Sequence, residues 1–225
     1  MAKTTYLALY LDAPLQSWGY ASKFDRRTTL AHPTRSGILG MLCAACGIDR
    51  ADKAGLARLS QVDVAVYGFK LGSRLTDYHT VGGGYDAKKD AQKISPKASG
   101  ASGDTVQTYR EFLEGARFGV VVSGDAELIG EVGRAMQSPQ WGVWLGRKSC
   151  IPASRLYAGE YGSEADALAA LRETEAQRAS CSVDKVSHVR SVKDAQLFAE
   201  GTETLMDIPL DFSVRAFAPR RVAVE

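Results

Sequence analysis

Cationic and aromatic residues are mixed near the amino terminus in a pattern that suits contact with single-stranded nucleic acid. Residues 16–35 contain four cations, one acidic residue and three aromatic residues, namely Lys23, Arg26, Arg27, Arg35, Asp25, Trp18, Tyr20 and Phe24. In such a segment the cations can contact phosphates while the rings stack on bases. The same residues also suit a solvated loop whose rings anchor it to the core, and residue types alone leave both interpretations open.

Arg35 stands where a helix is expected to begin, at the end where the helix dipole disfavours a cation. Thr34, Arg35, Ser36 and Gly37 would present backbone N–H groups there, and such a terminus binds anions readily. A basic side chain beside it would strengthen a phosphate site. Alternatively, Thr34 only caps the helix and Arg35 points into water.

Two further segments carry basic residues that could contact phosphates. Residues 146–149 form the short turn Gly-Arg-Lys-Ser, in which glycine allows a close backbone approach and arginine and serine supply donors. The glycine-rich stretch between residues 80 and 108 contains Lys88, Lys89, Lys93 and Lys97. Short basic turns are common and lysine-rich loops are usually solvated, but such a loop could equally order on an RNA backbone.

The residues that could support catalysis are few. Metal-free RNA cleavage needs a general base near the 2′-OH and a cation for the phosphate. The three histidines are His32, His79 and His188, and none has a lysine or arginine immediately beside it. His79 with its neighbour Tyr78 is the only local pair that suggests such chemistry. We therefore predict no catalytic residue.

Cys43 and Cys46 form a CxxC motif, which can indicate a metal site or a redox pair. The motif lies inside the apolar run 38–46, and the remaining cysteines, Cys150 and Cys181, are far apart and unpaired in spacing. A structural zinc site needs two close pairs of ligands. We therefore predict buried thiols, no metal and no other cofactor.

The overall composition is that of a globular protein and does not decide the partner. The 28 Lys and Arg nearly balance the 26 Asp and Glu, and 45% of the 225 residues are hydrophobic. No segment reaches the roughly 18 consecutive apolar residues of a membrane span, and the first residues lack the zones of a signal peptide. We expect a cytoplasmic protein that does not contact a membrane.

The secondary structure predicted around these residues indicates an α+β fold. Apolar patterning indicates strands over residues 4–11, 62–69 and 118–122, and a possible fourth strand over 141–145. A helix is expected from Arg35 to Cys46, ended by Gly47, and a second helix is capped by Asp125 and buries Leu128, Ile129, Val132 and Met136. This order fits a ferredoxin-like β-α-β-β-α-β unit.

The less regular carboxyl-terminal part shows weaker signals. Ser163 and Asp166 are a capping pair for a short helix through Leu171. Short strands are expected near residues 181–189 and 204–217.

Five ordered blocks of this sequence resemble the CasD subunit family of type I-E CRISPR Cascade, within the RAMP superfamily. The blocks are residues 12–19 (DAPLQSWG), 33–40 (PTRSGILG), 77–81 (DYHTV), 109–113 (YREFL) and 145–150 (LGRKSC). The match runs from Tyr6 to about Pro152, and the carboxyl-terminal third is looser. Five blocks in order are far more specific than any single motif.

The resemblance implies a ferredoxin-like palm with an inserted β-hairpin thumb and a small carboxyl-terminal β region. We accordingly expect the palm at residues 1–145, the thumb insertion at about 78–108, and the small β-rich region at 146–225.

The resemblance also implies a function. The protein would be an RNA-binding structural subunit of a Cascade surveillance complex, capping and holding the 5′ handle of the crRNA for antiviral defence. It would contact a CasC backbone subunit and the CasA large subunit, and would meet target DNA only through the complex. The alternatives are a metal-independent endoribonuclease that processes precursor crRNA, as some relatives in other subtypes do, and an RNA-binding protein outside CRISPR.

The same comparison selects candidate RNA-contact residues. The matched basic positions are the main candidates, and three further residues lie in matched blocks with less defined roles. The basic positions are Arg26, Arg27, Arg35, Arg110, Arg147 and Lys148, and the three further residues are Gln16, Trp18 and His79. Ser36 at the helix start is added to these candidates.

The cysteine interpretation leads to a first prediction. Purified protein should contain no stoichiometric zinc, because Cys43 and Cys46 share one apolar helix face and lack a second ligand pair. Elemental analysis of the full chain, with a Cys43→Ser/Cys46→Ser variant as control, measures this. One zinc per chain in the wild type and none in the variant would contradict the prediction.

Overall fold

The computed structural model describes residues 3–20, 22, 25–81, 106–195 and 197–225, and within them the chain is a mixed α+β protein. Its α-helices are Arg35–Cys46 (α1), Lys53–Leu59 (α2), Ala126–Gln137 (α3) and Glu164–Ala179 (α4). Its strands are Thr4–Asp12 (β1), Leu15–Gln16 (β2), Arg26–Arg27 (β3), Asp63–Lys70 (β4), Ser73–Val81 (β5), Val106–Glu114 (β6), Arg117–Asp125 (β7), Tyr157–Tyr161 (β8), Arg190–Asp194 (β9), Glu203–Asp211 (β10) and Ala216–Val224 (β11).

A seven-stranded antiparallel sheet organises the molecule, in the order β10-β11-β9-β4-β7-β1-β8. Strand β1 pairs with β7 from Thr4 opposite Asp125 to Asp12 opposite Arg117. Because side chains alternate along a strand, the apolar run of β1 supplies both faces of the sheet. Leu7, Leu9 and Leu11 enter the main core with α1, α2 and α3, whereas Ala8 and Tyr10 pack under α4.

The caps predicted from the sequence fix two of the three helices of the main core. The Thr34 Oγ1 accepts a hydrogen bond from the Gly37 amide at the start of α1, and Gly47 ends the helix with a φ of 73°. Asp125 caps α3, and the buried residues of α3 include Leu128, Ile129, Val132 and Met136. The predicted bounds of α1 and the predicted buried face of α3 are therefore confirmed.

Polar contacts attach α4 to the other face of the sheet. The Tyr10 hydroxyl donates to Glu175 at 2.6 Å, and the Arg117 guanidinium lies 2.6 Å from the same carboxylate. Burial and the bond to Glu175 raise the pKa of Tyr10. Ser163 caps α4 as predicted, but the helix continues well beyond Leu171, to Ala179.

Four strands form a second, smaller sheet that shares no strand with the first. Strands β5 and β6 form an antiparallel pair from Ser73 opposite Glu114 to Val81 opposite Val106. Strand β2 joins β6 in antiparallel register, and β3 joins it in parallel register. Residues 82–105 lie outside the described residues, and with them most of the predicted thumb and its four lysines, as do Lys23 and Phe24.

The predicted fourth strand at residues 141–145 is wrong. These residues lack regular secondary structure, and the Trp141 amide donates to the Ala44 carbonyl in the last turn of α1 at 3.1 Å. The strand that pairs with β1 on its free side is β8. The apolar residues 141–145 therefore pack at the end of α1 and do not form a strand.

The carboxyl-terminal strands belong to the large sheet. A 3-10 helix, Val183–Lys185, occupies the region of the strand predicted near 181–189, so that prediction is wrong, and β9 follows it. Strands β10 and β11 cover the region predicted near 204–217 and extend beyond it. The domain boundary between residues 145 and 146 stays a prediction, although strands from both sides of it share one sheet. Among the described helices, none has the length and apolar character needed to cross a membrane.

A buried ion network joins the start of α1 to the carboxyl-terminal strands. Arg35 is buried, and its guanidinium donates to the Ser60 and Val62 carbonyls at 3.0 and 2.6 Å and lies 3.6 Å from Asp194. Its backbone N–H donates to the Asp207 carboxylate at 2.8 Å.

Arg220 completes this network. Its guanidinium donates to Asp207 at 2.7 and 3.0 Å and also to Asp194. The anion at the start of α1 is therefore the protein's own Asp207. Neither expectation for Arg35 fits, since the side chain faces neither water nor a ligand.

Replacing Arg35 with alanine should lower the free energy of unfolding by about 2–4 kcal/mol. The change leaves two buried carbonyl groups without a donor and removes a cation from a buried ion network. Urea denaturation of the full chain measures the effect. Arg58→Ala is the matched control, because Arg58 pairs with Glu131 on the exposed surface, where removal costs within about 1 kcal/mol. Equal destabilisation of the two variants would contradict the structural role of Arg35.

Candidate nucleic-acid interface

Three arginines gather where the small sheet meets the turn after residue 145. Arg27 on β3 stands beside Arg110 on β6 in parallel register. Arg147 donates to the Arg27 carbonyl at 2.8 Å and to the Glu111 carbonyl at 3.0 Å. Its guanidinium also lies 4.7 Å above the Phe112 ring. The sequence-predicted residues Arg27, Arg110 and Arg147 are thus brought together.

The cluster has an excess of positive charge. Burial lowers the pKa of Arg147, and the neighbouring Arg110 and Arg27 lower it further. In the part of the chain that the structure describes, no carboxylate lies within ion-pair distance of these three side chains. A partly desolvated cluster of like charges is a favourable place for a phosphate.

Gly146 packs closely against the backbone of Ser17, and this contact fixes the turn that carries Arg147. Gly146 has a φ of 97°, and a Cβ atom there would lie 1.7 Å from the Ser17 carbonyl oxygen. The Ser17 amide also donates to the Leu145 carbonyl at 3.1 Å. The sequence suggested that this glycine allows the approach of a ligand, and the structure corrects that expectation: the glycine is needed because the turn presses on Ser17.

An open groove of about 430 Å³ begins at this cluster. Its walls are the loop after β2, the start of α1, the turn at Gly146 and the tip between β10 and β11. Among the described residues, four arginines and no acidic residue line it: Arg27, Arg50, Arg147 and Arg215. Arg50 and Arg215 are exposed, and sequence reasoning missed both because nothing in the sequence brings them near Arg27.

A mostly apolar recess of about 340 Å³ adjoins the groove. Ser36, Gly37, Arg50, Gly146 and Phe212 line both spaces. The recess adds aromatic and apolar side chains, among them Trp141, Trp144 and Met41, and none of its lining residues that the structure describes is acidic. Lys148 lies at its wall, exposed, with its ammonium 5.6 Å from the Trp144 ring centre.

The first turn of α1 forms part of the groove wall but offers little free anion capacity. The Arg35 amide binds Asp207, and the Gly37 amide binds the Thr34 hydroxyl at 3.1 Å. The Ser36 hydroxyl lies 3.3 Å from the Thr34 hydroxyl and is half-buried. Of the residues predicted at this helix start, Ser36 remains available to a ligand and Arg35 does not.

Gln16 and Trp18 support the loop from inside. The Gln16 amide donates to the carbonyls of Leu11 and Ala116 at 3.1 and 2.8 Å and accepts from the Trp18 indole at 3.1 Å. Both side chains are fully buried. The expectation that they contact RNA is corrected, because every polar atom of the two side chains already has a partner within the protein.

Arg26 and His79 lie at the hairpin formed by β5 and β6. Arg26 is exposed, with its guanidinium 5.0 Å from the Tyr109 ring centre, and Tyr109 contacts Tyr78. His79 stands opposite Thr108, on the face that carries Arg110. Neighbouring residues of a strand point to opposite faces, so Tyr78 and His79 lie on opposite faces of the hairpin.

The cysteines are free thiols. Cys43 is buried and lines the recess, and burial raises its pKa to about 12. Cys46 is half-buried. Within the described ranges no three His, Cys, Asp or Glu side chains are grouped so that they could hold a metal ion.

Comparisons with known proteins agree with the fold. A family model described as CRISPR-associated protein (Cas_Cas5) matches residues 6–223. The "CRISPR system Cascade subunit CasD" of Escherichia coli (strain K12) is 36% identical over 167 residues, covering 69% of this chain and 70% of the relative.

Two solved structures superpose on nearly the whole chain. One, from a "CRISPR RNA-guided surveillance complex", has a TM-score of 0.76 and 28% identity and covers 98% of this chain and 89% of its own. The other, "Crystal structure of Cas protein", has a TM-score of 0.66 and 27% identity and covers 98% and 93%. The chain therefore belongs to the CRISPR-associated Cas5 family, among relatives of the CasD subunit of Cascade.

Proposed function

We propose that this chain is an RNA-binding structural subunit of a type I-E Cascade complex that caps and holds the 5′ handle of the crRNA. The observation that carries the proposal is the groove, whose described lining has four arginines and no acidic residue. The relative named as a Cascade subunit and the similar chain from an RNA-guided surveillance complex support it. The contacts with a CasC backbone subunit, a CasA large subunit and, through them, target DNA belong to the same proposal, as does the cytoplasmic location.

In this proposal the groove binds the phosphates of a single strand and the recess binds one of its bases. Arginines suit phosphates because the planar guanidinium can donate two parallel hydrogen bonds. Arg147 is held in place by two carbonyl groups, whereas Arg50 and Arg215 are exposed and can adjust. An unstacked base next to those phosphates can enter the recess, where Trp144 and Phe212 offer aromatic surface.

The strand order supports a ferredoxin-like palm with a thumb. Strands β8, β1, β7 and β4 are neighbours in that order, with α1 between β1 and β4 in the sequence and α3 between β7 and β8. This is the arrangement of a β-α-β-β-α-β unit. The hairpin of β5 and β6 is inserted between β4 and β7, which agrees with a thumb at about residues 78–108.

The structural role is favoured over an endoribonuclease. The pair that suggested cleavage, Tyr78 and His79, is split between two faces of the hairpin. His32 is buried beside the Pro33 carbonyl, and burial lowers its pKa. The arginine groove can bind a phosphate without help from either histidine.

The groove should control crRNA retention. The double change Arg27→Ala/Arg215→Ala should lower RNA affinity and make binding less sensitive to salt, because each single-strand phosphate that the protein neutralises adds about 0.7 to the salt slope. The measurement is crRNA content of the complex co-expressed with its Cascade subunits, together with binding of synthetic repeat RNA at several salt concentrations. Arg58→Ala/Arg155→Ala is the control, since both arginines are exposed and neither lines the groove. Equal retention in the two double variants would refute the groove.

A cleavage assay separates the two functions. Repeat RNA incubated with the full chain without metal should remain intact, because the candidate base and its neighbour do not face one site. Gel analysis of the RNA over time is the measurement. Cleavage by the wild type that His79→Ala abolishes would replace the structural proposal with the endoribonuclease.

A further inference from the structure

We infer that the hairpin face opposite Arg27 and Arg110 is a second contact for the RNA, where Tyr78, Tyr109 and Arg26 form a stacking platform for one unstacked base. The inference rests on the proposed function, because it extends the path of the same RNA strand. It concerns residues that neither the groove nor the recess includes.

The platform consists of two aromatic rings and one guanidinium. Tyr78 and Tyr109 stand directly opposite each other on β5 and β6, with ring centres 5.3 Å apart and ring planes at 56°. Tyr78 is 51% exposed and Tyr109 is 37% exposed. Arg26 on the neighbouring strand β3 places its guanidinium 5.0 Å from the Tyr109 ring centre.

The two rings leave a surface that a ligand can use. Neither tyrosine belongs to the hydrophobic core, and each leaves more than a third of its surface exposed. Tyrosine and arginine present flat surfaces that stack on any base, and sheet-borne aromatic residues are a common way to bind single-stranded RNA.

Charge favours a nucleic acid on this face. In the described part of the chain no carboxylate forms an ion pair with Arg26. Glu111 lies on the same face, but Arg74 neutralises it at 2.9 Å. With respect to the residues that the structure describes, the Arg26 guanidinium is therefore available to a phosphate.

The edge strand β3 connects the platform to the groove. Arg26 and Arg27 are consecutive, so their side chains point to opposite faces of the small sheet. Arg27 lines the groove, and Arg26 contacts the platform. A strand of RNA that leaves the groove at Arg27 and passes around this edge meets Arg26 next, and its following base falls on Tyr109.

Fluorescence of 2-aminopurine tests the platform. Synthetic RNAs carry this base at one position at a time and are bound to the full chain or the reconstituted complex. One position should show quenched fluorescence that Tyr78→Leu and Tyr109→Leu relieve and Tyr78→Phe preserves. The leucine variants should also weaken RNA binding roughly 5- to 20-fold, which is in the range for one base–aromatic stack.

The control has the same chemistry elsewhere in the fold. Phe198 is 78% exposed, and the Arg221 guanidinium lies 4.6 Å from its ring centre, yet neither residue lies at the groove or the hairpin. Phe198→Leu should leave quenching and affinity unchanged. An equal effect of Phe198→Leu and Tyr78→Leu would overturn the platform.

The outcomes separate this inference from the proposed function. If Arg27→Ala/Arg215→Ala releases crRNA while the tyrosine variants bind and quench as the wild type does, the platform is refuted and the groove stands. If the tyrosine variants impair only assembly with the other subunits, the face binds protein and the platform is again refuted. If the arginine variant also retains crRNA fully, the proposed function itself fails.

Discussion

The buried contacts among Arg35, Asp194, Asp207 and Arg220 hold the two halves of the site in place. Through them the first turn of α1 is fixed against β9, β10 and β11. The tip that follows β10 carries Phe212 and Arg215, which form one wall of the groove, and α1 forms another. Removing one partner of a buried charged network leaves the others uncompensated. The shape of the groove therefore depends on four charged side chains that do not line it.

The elements that sequence patterns predicted best are those whose signals are local. Thr34 and Gly47 act on the helix that lies between them, so the bounds of α1 could be predicted. The strand proposed at residues 141–145 failed because the Trp141 amide pairs with the end of α1, a contact formed only in the folded chain. The place of β8 beside β1 is likewise set by tertiary packing, which a single-sequence pattern does not contain.

The site was predicted in part for a related reason. Arg27, Arg110 and Arg147 were selected and do come together, while Arg35 and Gln16 were selected from the same resemblance and are buried. A matched block indicates that a position requires a certain residue type. The block does not say why, because arginine and glutamine can serve either a buried hydrogen bond or a contact with a ligand. Arg50 and Arg215 were missed because the segment after α1 and the hairpin tip that carry them meet only in the folded protein.

The pairing of β3 with β6 makes the length of the preceding loop more important than its composition. Only Arg26 and Arg27 form β3, and they stand beside Tyr109 and Arg110 in register. An insertion or deletion of one residue that slipped this register would exchange the faces of the two arginines. Apart from the buried Ser17 and Trp18, the loop between β2 and β3 can therefore vary in side chains more freely than in residue count, and natural variation there should occur by substitution.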